Sequence, residues 1–304
     1  MMHSIAGGAA ARPFKTHHNA LDMELFMRIA PELHLKRLIT GGYNKVFEMN
    51  RCFRNEGISL KHNPEFTSIE FYQAYATYED LMQLTEELLN ELVLKLHGKE
   101  IITYQGKEIS FVRPFKRMTM REAVSSYAQI SLDETYDKAK LIKILKTRIE
   151  DTKMLLGFET MSVDRLMVLC FEELCEEHLV NPTFITDFPT EVSPLSRRND
   201  RNPDVVDRFE LYANGWEIAN AFSELNNPTD QLARFAEQAH LKDSGDEEAC
   251  DVDYDYVRCL EYGMPPTAGE GIGIDRLSMI LTDQPTIRDV IFFPLLKKET
   301  FFEE

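Results

Sequence analysis

Two arginines far apart in the chain carry the most specific chemistry: Arg54 in Phe53-Arg54-Asn55-Glu56, and Arg276 in Gly271-Ile272-Gly273-Ile274-Asp275-Arg276. A guanidinium is planar, forked and permanently charged, so it suits phosphate and carboxylate oxygens better than the point charge of lysine. His62-Asn63-Pro64-Glu65-Phe66 adds an imidazole and an aromatic ring. Gly271 and Gly273 let the backbone approach a ligand closely. Together these groups could surround a nucleoside triphosphate. Taken singly, each segment has an ordinary reading, a strand-end salt bridge or a glycine strand packed under a helix.

The elements that must position these groups follow from periodicity. Residues 43–54 alternate, with Val46, Glu48, Asn50, Cys52 and Arg54 on one face and Phe47, Met49 and Phe53 on the other, which predicts a half-buried strand with a polar working face. Residues 65–75 predict a second strand in which Phe66, Ser68, Glu70, Tyr72 and Ala74 share a face. Gly57 to Asn63 would be the polar loop between them. Pro31 opens a helix with Glu32 in its first turn and Gly41-Gly42 at its end. Residues 79–97 predict an amphipathic helix through Leu81, Leu84, Leu88, Leu92 and Leu96.

Residues 118–180 are mostly helical in pattern, with Leu166, Leu169, Cys170 and Leu174 on one stripe, and are expected to be an insertion packed against the core. Asn214-Gly215 predicts a two-residue hairpin turn. That turn pairs Tyr212 with Glu217 and Glu210 with Ala219, leaving Glu210 and Glu217 as diagonal neighbours on one face. Asn227 caps a following helix with Pro228 at its first position. The fold class expected is α+β, a mixed, mainly antiparallel sheet flanked by helices, over residues 1–304 as one domain.

Composition bounds the function. The chain has 304 residues, 43% of them hydrophobic, enough for a packed core. No apolar run approaches the ~20 residues needed to cross a bilayer, and Met1 to Arg12 lacks a secretory apolar stretch, so a cytoplasmic protein without membrane contact is expected. Five cysteines without CxxC spacing read as reduced thiols, not a disulfide frame or zinc site. A net charge of −17 argues against a surface built mainly for nucleic acid, although Arg51, Arg54, Lys61 and His62 cluster locally.

The two arginine segments resemble the second and third signature motifs of class II aminoacyl-tRNA synthetases. Further segments narrow the resemblance: Gly7-Gly8-Ala9-Ala10-Ala11-Arg12-Pro13-Phe14, His18-Asn19-Ala20-Leu21-Asp22, Arg28-Ile29-Ala30-Pro31-Glu32-Leu33, and Glu217 through Leu225. Over nearly its whole length the chain resembles the catalytic domain of class II lysyl-tRNA synthetases.

That resemblance implies ATP, L-lysine and tRNA(Lys) as substrates, with Mg²⁺ as cofactor. It implies that Arg54 contacts the α-phosphate and the amino-acid carboxylate, and Glu56 the adenine amino group. Phe66 and the stem of Arg276 would sandwich the adenine, while His62 and the Arg276 head reach the outer phosphates. Glu210 and Glu217 match the family's magnesium carboxylates, hard oxygen ligands of the kind Mg²⁺ prefers. Lysine, with two amines, an apolar stem and one carboxylate, needs acids at both ends and an aromatic wall between. Glu32 and the backbone of Gly8 match the α-amine end, Glu224 and Tyr72 the ε-amine end, Asn220 the carboxylate and Phe222 the wall. Glu70 belongs to the same network.

Strict alternation sets Glu217 on the opposite face from Asn220, Phe222 and Glu224, so one shared pocket requires a β-bulge near Ile218–Asn220. His17 and His18 are expected to be structural, because the attacking carboxylate is already an anion and needs no base. Gly7–Phe14 suits a loop closing over substrate, or an ordinary surface loop. The family's complete enzyme is expected to carry an N-terminal anticodon-binding barrel and a first motif at a homodimer interface. This chain starts just beyond that motif, as a fragment or a shortened relative would, which puts dimerisation and stand-alone activity in question. Two other readings remain at this stage: a paralogue that attaches lysine to a protein, and a non-catalytic module or fragment keeping the fold.

Overall fold

A computed structural model describes residues 1–149, 157–245 and 249–296. Its centre is a seven-stranded sheet built from β4 (Lys45–Phe53), β5 (Glu65–Ala74), β8 (Lys116–Thr119), β9 (Thr183–Thr186), β10 (Arg208–Ala213), β11 (Trp216–Ser223) and β12 (Thr267–Gly273). The strand order is β4-β5-β12-β11-β10-β9-β8. Every neighbouring pair is antiparallel except β8 and β9, which are parallel. β1 (Met2–His3), β2 (Lys15–His18) and β3 (Met23–Met27) form a small separate sheet, and β6 (Ile101–Tyr104) pairs with β7 (Lys107–Ser110) as a hairpin. The α+β class expected from the pattern is therefore the one observed.

Helices cover both faces. α2 (Tyr78–His97) and the last helix, α8 (Ile274–Leu281), pack on one face, where Leu81, Leu89 and Val93 meet Phe209, Leu211, Ile272 and Ile280. α1 (Glu32–Thr40) and α7 (Tyr254–Glu261) cover the other through Leu33, Leu35, Ile39, Tyr256 and Leu260, packed on Tyr72 and Ala74, with Phe235 of α6 (Pro228–Asp243) beside them. Between β8 and β9 the chain makes a helical excursion through α3 (Met120–Ala128), α4 (Lys138–Leu145) and α5 (Val163–Leu174), whose Leu166, Cys170 and Leu174 share a core with Ile185 and Tyr212. The part of the expected insertion at 150–156 lies outside the described residues.

Local chemistry explains the boundaries. Thr77 and Asp80 close a capping box on α2, and Asn227 accepts hydrogen bonds from the Thr229 and Asp230 backbone with Pro228 at the first position of α6. Asn214 and Gly215 take the positive φ values, 53° and 71°, that a two-residue hairpin demands.

Three sequence expectations change. On α2 the buried stripe is Leu81, Met82, Thr85, Leu89 and Val93, while Leu84, Leu88 and Leu96 face outward. Two leucine stripes compete on this helix, and the sheet takes the one that also buries Thr85. On β4 the polar face is the covered one: Asn50 and Cys52 are buried, whereas Phe47 and Met49 are 72% and 59% exposed on this edge strand. In the β10–β11 hairpin Tyr212 does pair with Glu217, but Leu211 pairs with Ala219 and Glu210 with Asn220, not Ala219. Residue 218 is the extra one, so the irregularity that the shared pocket required is present at Ile218. Among the described residues Cys52, Cys170, Cys175 and Cys259 are free thiols, and no helix is long and apolar enough to cross a membrane.

Candidate active site

The cavity of about 190 Å³ above β5, β11 and β12 draws its walls from segments spread over most of the sequence. Arg54 and Arg276 both line it, together with Gly8, Glu32, Glu56, His62, Phe66, Glu70, Tyr72, Glu217, Asn220 and Phe222. The alternation of β5 delivers Phe66, Glu70 and Tyr72 to one face, and the bulge in β11 lets Glu217 reach the same space as Asn220 and Phe222. Glu210 and Glu224, also singled out from sequence, do not line the wall and sit behind it.

Hydrogen bonds outside the regular ladders fix the arginine segment. The Arg54 amide donates to Pro64 O at 2.9 Å, the Asn55 amide to Arg12 O at 2.8 Å, and the Ile287 amide to Leu60 O at 2.8 Å. The first closes the β4–β5 loop, the second ties it to the Gly7–Phe14 segment, and the third seats it against the C-terminal region. Ala11 is buried within that glycine-alanine segment, which is therefore more than an exposed surface loop. Asp275 Oδ2 accepts from the Thr67 amide at 2.6 Å, pinning the start of α8 to β5. Arg54 stands 5.1 Å over the Phe66 ring, and its Nε is buried without a hydrogen-bond partner. A buried guanidinium donor left open is a cradle for an anion. Arg276 Nη1 donates to Glu217 O at 2.8 Å and approaches Glu217 Oε2 at 3.3 Å.

The electrostatics divide the cavity in two. At the arginine end, burial and then the charges of Arg276 and Lys61 pull the His62 pKa down to about 4, so its ring is neutral near pH 7, with Nδ1 2.8 Å from Ser59 Oγ. At the acidic end, burial and then Glu32 push Glu70 up to about 8, against the hydrogen bond that Tyr72 Oη donates to it at 3.0 Å. Burial also works against the Lys36 ammonium, but the facing carboxylates of Glu224 and Glu32 outweigh it and hold Lys36 charged. Lys36 is completely buried and pairs with both acids.

Glu210 is buried, accepting from Arg208 Nη2 at 2.5 Å and from Tyr212 Oη at 2.6 Å. Burial raises its pKa, Arg208 offsets this, and the nearby charge of Glu217 raises it again. Two mutually repelling carboxylates, one at the cavity and one behind it, fit a hard divalent cation that takes its remaining ligands from water or a bound oxyanion. Among the described residues no group of three or more His, Cys, Asp or Glu side chains could hold a metal ion unaided.

Sequence reasoning missed two features of the site. Lys36 reads as an ordinary helical lysine and carries no motif. Gly269, not Gly271 or Gly273, is the tightest glycine: a Cβ there would lie 2.2 Å from Tyr72 Cε1 and 2.4 Å from Glu224 Oε1. His17 and His18 lie on β2, where the Leu21 amide donates to His18 Nδ1 at 3.2 Å, and neither lines the cavity.

A family model for class II tRNA synthetases (D, K and N) matches residues 1–297. The chain is 56% identical over 305 residues to a lysine–tRNA ligase of Aromatoleum aromaticum, covering 98% of this chain and 59% of that protein. It is 54% identical over 300 residues to one from Psychrobacter arcticus, at 98% and 58% coverage. It is 56% identical over 301 residues to one from Variovorax paradoxus, at 99% and 57% coverage. The chain therefore spans a little under three fifths of the length of these relatives.

Proposed function

Because the chain belongs to the class II tRNA synthetases of the D, K and N group, we propose that it activates L-lysine with ATP to lysyl-adenylate and passes the lysyl group to the 3′ end of tRNA(Lys). Residues 1–304 then act as one catalytic domain carrying a helical insertion. The observation that carries this reading is the single cavity shared by Arg54, with its open buried Nε, and the acid cluster of Glu32 and Glu70. One end suits phosphates, the other a molecule with two amines.

In the first step the lysine carboxylate attacks the α-phosphorus and pyrophosphate leaves. The nucleophile is already ionised, so the site has to align and neutralise; it need not abstract a proton. Arg54 would bridge the attacking carboxylate and the α-phosphate, where charge accumulates. Glu56 would read the adenine amino group, Phe66 and the Arg276 stem would hold the ring, and neutral His62 with the Arg276 head would hold the outer phosphates. Mg²⁺, held by Glu210 and Glu217, would supply further charge neutralisation on those phosphates. Glu32 and the Gly8 backbone would receive the α-amine, Glu224 and Tyr72 the ε-amine, Asn220 the carboxylate, with Phe222 along the stem and Glu70 within the same acid network. In the second step a ribose hydroxyl of the tRNA terminus attacks the adenylate carbonyl and AMP leaves. A homodimer is the assembly proposed for the full-length enzyme, with exposed Phe47 and Met49 on the edge strand as candidate contacts.

Lysine-dependent exchange of pyrophosphate into ATP tests the first step. The native chain should exchange with lysine and not with leucine or methionine. Arg54→Ala should lower the rate by about 10²-fold or more, as the loss of a preorganised charge-stabilising donor does. Exchange unaffected by Arg54→Ala would remove the central assignment.

A further inference from the structure

Lys36 lies on α1 one turn beyond Glu32 and has no solvent exposure. Its ammonium pairs with Oε1 of Glu32 and with Oε2 of Glu224, two acids widely separated in sequence. It also sits 5.2 Å from the Phe222 ring centroid and 6.0 Å from that of Tyr72. Tyr72 and Phe222 line the cavity and Lys36 does not, so the ammonium stands behind the aromatic wall.

Each carboxylate thus commits one oxygen to Lys36 and keeps the other. Neither Glu224 oxygen has a hydrogen-bond partner; Oε2 is held by the Lys36 ion pair alone, and Oε1 is buried beside Tyr72 and the bare face of Gly269. Glu32 itself borders the cavity. A buried carboxylate oxygen without a donor is costly to leave open and is what an incoming ammonium would satisfy. Two carboxylates held by one internal cation also cannot drift apart, because that cation binds them at a common point.

We propose that Lys36 is a positioning residue for substrate lysine: one ammonium anchors Glu32 and Glu224 by a single oxygen each and so fixes the spacing of the two oxygens left to receive the substrate amines. The inference rests on the lysine reading given above. It makes Lys36 an internal ruler. A diamino acid one methylene shorter would reach one free oxygen but not both.

Calorimetric titration of L-lysine, L-ornithine and ATP into the native protein, Lys36→Met, Glu224→Gln and the double variant tests this. A native protein that binds neither amino acid refutes the lysine reading itself and does so independently of Lys36. Given native lysine binding, Lys36→Met, unbranched like lysine but uncharged, is expected to weaken lysine about tenfold or more. It should also lower the preference for lysine over ornithine and leave ATP affinity unchanged. Because Lys36 acts through Glu224, the double variant should lose less than the product of the two single losses. Native-like lysine affinity and selectivity in Lys36→Met would overturn the proposal, and so would a parallel loss of ATP affinity or fully multiplicative losses. Should Lys36→Met not fold, the double variant removes cation and anion together, and a native lysine-to-ornithine ratio in it would equally overturn the proposal.

Discussion

Raising the pH from about 6 to about 8 should tighten lysine binding, because Glu70 has to release a proton before it can face an ammonium group. Burial, reinforced by Glu32, places its pKa at about 8 in the empty site. At pH 7 about one tenth of the molecules then carry an ionised Glu70, and selecting that fraction costs roughly 1.4 kcal/mol of binding free energy. The ionised fraction grows about fiftyfold between pH 6 and pH 8, so the apparent affinity should rise by the same order and then level off. The α-amine of free lysine titrates above this window and does not confound it. Calorimetry in buffers of different ionisation enthalpy should register release of nearly one proton per lysine bound at pH 7. Glu70→Gln should reduce both the proton release and the pH slope, with any remainder belonging to Glu32 and Glu224, whose pKa values burial also raises. A native affinity that is flat from pH 6 to 8, with no proton released, would refute the idea that Glu70 enters the complex ionised.

Three further outcomes follow from other residues. Gly269→Ala should abolish measurable lysine binding and lower stability by about 1–3 kcal/mol, since its Cβ would overlap Tyr72 and Glu224; thermal unfolding and lysine titration read the two effects. Glu270 is buried with its carboxyl bonded to Thr85, and burial, partly offset by that bond, lifts its pKa to about 8. Its folded-state pKa is raised, so the stability it contributes is present at low pH and is lost as pH climbs through about 8. Glu270→Met should therefore melt higher than native at pH 9 and gain least near pH 5, with Thr85 still bonded to Leu81 O. His62, depressed to about 4, should contribute no inflection to ATP binding between pH 5.5 and 8; an inflection near 6.5 that vanishes in His62→Gln would contradict its neutral state.

Much of this fold was legible because several local rules agreed. Asn214-Gly215 admits the positive φ of a tight turn, Asn227-Pro228 caps and starts a helix, and period-two alternation brings Phe66, Glu70 and Tyr72 to one face. The bulge at Ile218 was legible too, since the facing of Glu217 conflicted with that of Asn220 and Phe222 unless one residue was extra. Illegible features are those that tertiary contacts decide. Leu81, Leu84 and Leu88 describe one helical stripe as well as Leu81, Thr85 and Leu89 describe another, and only the sheet chooses. The exposure of Phe47 and Met49 depends on β4 being an edge strand, which its own residues do not state. Lys36 is hidden for the same reason: its partner Glu224 arrives from a remote strand end. Gly269 stands out only when Tyr72 is laid across it.

The order of strands also governs how the molecule is made. β12 lies between β5 and β11, so residues 267–273 are the keystone that joins two otherwise unconnected half-sheets. During synthesis the hairpin of β4 and β5 and the block from β8 to β11 can each form early, yet no strand ladder joins them until that stretch leaves the ribosome. Until then the cavity lacks the wall that Gly269, Gly271, Gly273 and Arg276 supply. Completing the cavity therefore waits on the long-range pairing that completes the sheet.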